Sequence, residues 1–193
     1  MKRVGITGGI GSGKSTVVEV FRRKGVECFL ADNVAATYYE NREFLQKIRI
    51  LFGDKVFAAD GSADKRKIAD IVFADPDALA RLNGLVHPRV MADFEAFCEA
   101  HSNDPYVLFE SAILYESGIA GRMDSVVCVY LDRGERIRRL RVRDGATDHQ
   151  IEVRMAAQQP AEQALFMADY VILNYEGNPR EQQVDFIDQQ LRQ

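Results

Sequence analysis

Apolar residues recur along this chain in two rhythms. Short runs rich in β-branched residues, at 2–7, 26–30, 106–110, 125–131 and 169–173, are too brief for helices and predict buried strands. Between the first two, residues 14–25 place Val17, Val20 and Phe21 on one helical face, with Arg22, Arg23 and Lys24 in the last turn and Gly25 as a left-handed stop. Strand, helix and strand within about thirty residues predict a right-handed βαβ unit, parallel strands and an α/β fold. From Asn33 to His101 the period becomes helical throughout, with Phe44, Leu45, Ile48 and Leu51, then Ile68, Ile71 and Val72, then Leu79, Leu82, Leu85 and Val86. Residues 133–164 are polar and helical in character. The pattern therefore predicts a parallel sheet interrupted by a helical excursion after the second strand and a shorter, arginine-rich one after the fourth.

Composition narrows the setting. The 193 residues are 47% hydrophobic and 28% charged, ordinary for a soluble domain, and no run approaches the roughly 20 apolar residues of a membrane span. The start, MKRVGITGG, lacks the apolar stretch of a secretory signal, so a mature chain beginning at Met1 in the cytoplasm is expected. Cys28, Cys98 and Cys128 are odd in number and widely spaced, which argues against a disulfide or metal framework and for small core residues in a reducing compartment. A net charge of −4 leaves no footprint for nucleic acid. Anions, if bound, must be held by local groups.

Such groups occur at residues 5–16, GITGGIGSGKST, where five glycines fall within nine positions between the first strand and the first helix. Gly8, Gly13, Lys14 and Ser15 satisfy G-x-x-x-x-G-K-[ST], the phosphate-binding loop, in the strand-to-helix context that the motif requires. Glycines let consecutive N–H groups turn inward as an anion nest, reinforced by the positive end of the helix. The nucleotide-binding stretch is thus Gly9, Ile10, Gly11, Ser12, Gly13, Lys14, Ser15 and Thr16. Within it Lys14 reaches β- and γ-phosphate oxygens, and the Ser15 hydroxyl is a Mg²⁺ ligand.

The motifs of a guanine-nucleotide switch, Asn-Lys-x-Asp and Asp-x-x-Gly, are absent from the sequence. Two carboxylates follow strand ends, Asp32 and Glu110, and ligands of open parallel sheets lie outside those ends. Asp32 suits a base that accepts the proton of an incoming hydroxyl, or alternatively the N-cap of a helix starting near Asn33. Glu110 suits Mg²⁺, or is a solvated carboxylate. Residues 133–145, RGERIRRLRVRDG, hold six arginines; Arg136, Arg139 and Arg143 share one helical face, while Ile137 and Leu140 can anchor another. These guanidiniums, with Arg154, are candidates to close over transferring phosphates, although a charge run also suits a solvated surface.

Over essentially its whole length the chain resembles the dephospho-coenzyme A kinase family. The resemblance rests on GITGGIGSGKST, ADNVA (31–35), FGDKVFAADGSADKRK (52–67), IVFADPDALARLNGLVHPRV (71–90), AILYESG (112–118), RLRVRDG (139–145), RMAAQ (154–158) and ADYVILN (168–174). It implies transfer from ATP, with Mg²⁺, to the ribose 3′-hydroxyl of dephospho-CoA. It also implies a P-loop kinase fold in three parts: a core over 1–32, 104–132 and 165–193 carrying a five-stranded parallel sheet, a helical acceptor-binding insertion over 33–103, and a helical lid over 133–164. It places the catalytic aspartate at Asp32, phosphate-binding arginines at Arg139, Arg143 and Arg154, an adenine-bordering residue at Asn174, and His87 in the acceptor domain. For the acceptor, Lys65 and Arg66 are candidate diphosphate cations, and Tyr38, Tyr39 and Tyr115 candidate packing surfaces for its adenine or pantetheine arm, as core packing also is. Glu110 is counted on the acceptor side as well. A monomer or weak homo-oligomer, without membrane or nucleic-acid partners, is expected.

The chain departs from the family pattern at Leu30-Ala31-Asp32, where members often carry two aspartates, at Ala112-Ile113-Leu114, and at Gln163, where a lysine is frequent. Two alternatives accompany this reading. One is a nucleoside-monophosphate or other small-metabolite kinase; the other is a module that senses nucleotide without transferring it.

Overall fold

A computed structural model describes residues 1–156 and 158–193; Ala157, within the expected lid and the RMAAQ segment, lies outside the described residues. The chain forms two compact units, Met1–Leu30 with Phe97–Gln193, and Ala31–Ala96.

The first unit is built on five parallel strands, β1 (Lys2–Thr7), β2 (Cys28–Leu30), β3 (Tyr106–Glu110), β4 (Ser125–Tyr130) and β5 (Tyr170–Leu173), in the order β2-β3-β1-β4-β5. All five strand expectations hold, with ends moved by at most two residues. Because β1 is central, its residues Val4–Thr7 are buried on both faces of the sheet, with only the leading Lys2 and Arg3 partly exposed. Chain order reverses beside it. The loop after β1 and the end of β3 therefore share one edge, with Ile6 in register with Glu110 and the Ser111 amide donating to the Ile6 carbonyl at 3.1 Å.

Helix α1 (Lys14–Arg23) covers the sheet with Val17, Val18, Val20 and Phe21 and stops as expected, Gly25 turning at φ 77°. The same core takes Val184, Ile187 and Leu191 from the C-terminal helix, Arg180–Leu191, which the sequence reading did not find. Its segment REQQVDFIDQQL is too polar to announce a buried stripe. Tyr106 on β3 donates its hydroxyl to Asp188 of that helix at 2.6 Å, and burial together with the carboxylate holds the phenol well above its ordinary pKa. Cys28, Cys98 and Cys128 are buried free thiols.

The second unit is helical: α2 (Ala31–Thr37), α3 (Arg42–Phe52), α4 (Lys65–Ala74) and most of α5 (Pro76–Ala100). Asn41 and Asp64 cap α3 and α4, the Asp64 carboxylate accepting from the amides of Arg66 and Lys67 at 3.0 and 3.3 Å. One expectation needs correction here. Helix α2 begins at Ala31, so Asp32 is an exposed first-turn residue and not a cap. Helix α5 runs through Pro88, and His87 stands half-buried within it. Pro88 leaves the Gly84 carbonyl without its helical donor.

Replacing Phe21 by Ala removes the largest side chain that α1 lays on the sheet. Urea denaturation is expected to show a loss of about 3–5 kcal/mol without change of fold.

Candidate functional site

Residues 8–13 cross from β1 to α1 with almost no regular structure. The Ser12 amide closes on the Gly9 carbonyl at 3.0 Å, and those of Thr16 and Val17 close on Gly13 at 3.1 and 3.2 Å. Among the described residues the amides of Gly11, Gly13 and Ser15 donate to no protein acceptor, and α1 has no side-chain cap. Open N–H groups at the start of a helix make an anion site. Two of the expected donors drop out: the Ile10 amide is taken by Gln158 Oε1 at 2.8 Å and that of Ser12 by Gly9. Lys14 Nζ folds back onto the Gly8 carbonyl at 2.8 Å and lies 3.9 Å from Glu110 Oε1.

The loop is braced from beneath. Asn174, after β5, is 1% exposed; its Nδ2 donates to the Ser12 carbonyl at 2.7 Å and its Oδ1 accepts from Arg180 Nε at 2.7 Å. Buried and bonded on both sides, the Asn174 side chain holds the loop in place. Gly13, at φ 86°, is the residue that this brace demands, since a Cβ there would run into Asn174 Nδ2.

Helix α6 (Arg133–Asp144), started by the Asp132 cap on the Glu135 amide at 3.0 Å, packs along the loop. Its buried residues are Leu140 and, one turn earlier, Arg136; Ile137 is only half-buried, so of the expected Ile137–Leu140 anchor only Leu140 is fully buried. Arg139 Nη2 donates to the Asn174 carbonyl at 2.8 Å. Between Gly11–Thr16 of the loop and Arg138, Arg139 and Arg143 of α6 lies a cleft of about 320 Å³. It joins open amides to guanidiniums, as a polyphosphate requires.

Arg143 and Arg154 meet on one carboxylate. Asp144 accepts from Arg143 Nε at 2.6 Å and from Arg154 Nη1 of α7 (Asp148–Ala156) at 2.8 Å. The two guanidiniums hold that carboxyl well below the usual aspartate range. Arg154 is thereby drawn toward α6 and does not line the loop cleft. Gln158, which sequence reasoning did not single out, also donates Nε2 to the Ala112 carbonyl at 3.3 Å. One of two adjacent glutamines after Met155 and two alanines, Gln158 gives no pattern by which to find it.

The other candidates are placed as follows. The Tyr115 hydroxyl is buried without a partner among the described residues, and burial pushes its phenol up to about 12, so it presents no polar group to an acceptor. In the helical unit Lys65 is exposed with Nζ 4.9 Å over the Tyr39 ring, and Arg66 is exposed on the same first turn. Burial lowers the pKa of His87. Tyr38 is a core residue bonded to Asp93 at 2.5 Å under Arg89, which decides it for packing.

Residues 2–179 match the family model described as dephospho-CoA kinase. A curated dephospho-CoA kinase of Chlorobium luteolum is 39% identical, over 92% of this chain and 84% of its own. A crystal structure from Thermus thermophilus superposes with a TM-score of 0.86 at 32% identity, covering 98% of this chain and 96% of its own. The dephospho-CoA kinase of Campylobacter jejuni, at 23% identity and a TM-score of 0.69, covers 98% of this chain and 96% of its own and shares the fold.

Two outcomes follow from the geometry. Gly13→Ala should weaken ATP binding by at least about tenfold in calorimetry, because a left-handed alanine is strained and collides with the brace. Because the folded Asp144 pKa is depressed, its pairing stabilises the α6–α7 junction fully above the ordinary aspartate range and is lost only as pH falls below it. In an NMR carboxyl titration, Asp144 should remain ionised after unpaired surface aspartates have taken up protons.

Proposed function

The chain belongs to the dephospho-CoA kinase family, and we propose on that footing that it transfers the γ-phosphoryl group of ATP to the ribose 3′-hydroxyl of dephospho-CoA, giving coenzyme A and ADP. The observation that carries this reading is the cleft in which the open amides of Gly11, Gly13 and Ser15 face Arg139 and Arg143. The amides and the α1 terminus hold the inner phosphates. Lys14 exchanges the Gly8 carbonyl for β- and γ-oxygens, and Arg139, steadied by the Asn174 carbonyl, takes charge that develops as the phosphoryl group leaves.

Asp32 is the base. It is exposed, stands two residues beyond the end of β2, and its carboxylate accepts the proton of the 3′-hydroxyl while aligning the oxygen with phosphorus. Lys65 and Arg66 supply cations for the diphosphate of the acceptor. The exposed Ser15 hydroxyl and the Glu110 carboxylate are hard oxygen donors suited to Mg²⁺, an ion that keeps few protein ligands and takes the rest from phosphate and water. When bound, it would neutralise charge between β- and γ-phosphates. Buried free thiols suit the cytoplasm, and no helix among the described residues is long and apolar enough to cross a membrane. We take the working species to be a monomer or weak homo-oligomer. The family match does not favour the nucleoside-monophosphate kinase or the sensing module.

After incubation with ATP and dephospho-CoA, phosphorus NMR should place the new phosphate on the ribose 3′-oxygen. Rapid phosphorylation of a nucleoside monophosphate with dephospho-CoA left inert would sink the proposal. Asp32→Asn should lower kcat by about 10²–10⁴ while the ATP dissociation constant stays within about threefold. Unchanged turnover would remove Asp32 from the mechanism.

A further inference from the structure

Among the described residues, folding buries one charged side chain below a tenth of its surface, and it is Arg136, 6% exposed. Its Nε has no hydrogen-bond partner, and its guanidinium forms no ion pair among the described residues. A protein rarely leaves a buried cation uncompensated, because desolvation is costly unless a partner repays it. The nearby charges do not supply one. Glu162 and Asp132 attract it and Arg133 repels it at longer range, while Glu162 is bonded to the Tyr130 hydroxyl at 3.4 Å and Asp132 is engaged as the α6 cap.

What Arg136 does touch is the phosphate loop. A Cβ on Gly9 would fall on Arg136 Nη1, so the glycine makes room for the guanidinium against the loop, with Ala161 also close by. The Arg136 carbonyl and Cβ similarly close on Gly11. The far end of the loop, Gly13–Ser15, leads into α1 and suits inner phosphates. Lys14 Nζ, the group that reaches β- and γ-oxygens, rests on Gly8, next to Gly9. The Gly8–Gly9 end is therefore where the last phosphate of the chain belongs.

We propose that Arg136 is a ligand of the terminal phosphate, a cation that the fold buries against Gly9 without a partner among the described residues, so that γ-phosphoryl oxygens complete it. The proposal deepens the triphosphate reading of the loop and rests on it. Its consequence is selectivity: Arg136 distinguishes ATP from ADP, whereas the amides of Gly11–Ser15 bind both.

The test is calorimetric binding of ATP and of ADP, each with Mg²⁺, to the full chain as wild type, Arg136→Gln and Arg136→Met, alongside thermal unfolding with and without nucleotide. Methionine keeps the apolar stem and removes the charge. In both variants ATP affinity should fall by about tenfold or more and ADP affinity by less than about threefold, as for loss of one charge-assisted contact. Without nucleotide the variants should melt no lower than wild type, since an unpaired buried charge has been removed, while the rise in Tm on adding ATP shrinks. An ATP-to-ADP affinity ratio within about threefold of the wild-type ratio would overturn the proposal, as would variants that fail to fold or melt lower without nucleotide, for then the side chain is structural. Wild-type protein that binds neither nucleotide would instead overturn the underlying reading of the loop, and this inference with it.

Discussion

A loop that presents its amides to an anion gives up the hydrogen bonds that would otherwise fix its shape, so something outside it must do the fixing. Here that task falls on the bond from Asn174 Nδ2 to the Ser12 carbonyl. The same residue accepts from Arg180 through Oδ1, from Arg139 through its carbonyl, and donates its own amide to Tyr130. One buried asparagine, through its side chain and its backbone, thus joins the end of β5, the phosphate loop, α6 and the C-terminal helix. Only an amide serves, because the position needs a donor on one side and an acceptor on the other. An aspartate would set two oxygens against each other at Ser12 and leave a buried carbonyl unsatisfied.

The arginine-rich stretch is arranged differently. Arg141 pairs with Asp148, Arg133 with Glu152, Arg138 with Glu135, and Asp144 takes both Arg143 and Arg154. These pairs are largely exposed, and each is worth little in water. Cohesion between α6 and α7 comes instead from buried Leu140 and Ile151. Weak surface pairs are readily exchanged, so a polyanion entering the cleft competes for Arg143 on favourable terms without dismantling the helices.

Much of this was legible beforehand, for identifiable reasons. Strands buried on both faces announce themselves as apolar runs, and the phosphate loop has fixed spacing because geometry permits no other. The C-terminal helix was missed because three buried residues in a polar dozen do not make a readable stripe. Arg136 appeared as one more member of a charged face; its burial depends on Gly9 and Gly11, more than a hundred positions away. Asn174 and Gln158 share that difficulty: a brace is defined by what it touches, and contact is invisible to spacing.

The buried thiols acquire a meaning from the proposed substrate, whose pantetheine arm ends in a sulfhydryl and is prone to form disulfides. Burial raises the pKa of Cys28 and Cys128 to about 11, which disfavours the thiolate, the form that attacks a disulfide. An enzyme that handles a thiol compound all day is in this way shielded from becoming covalently attached to it.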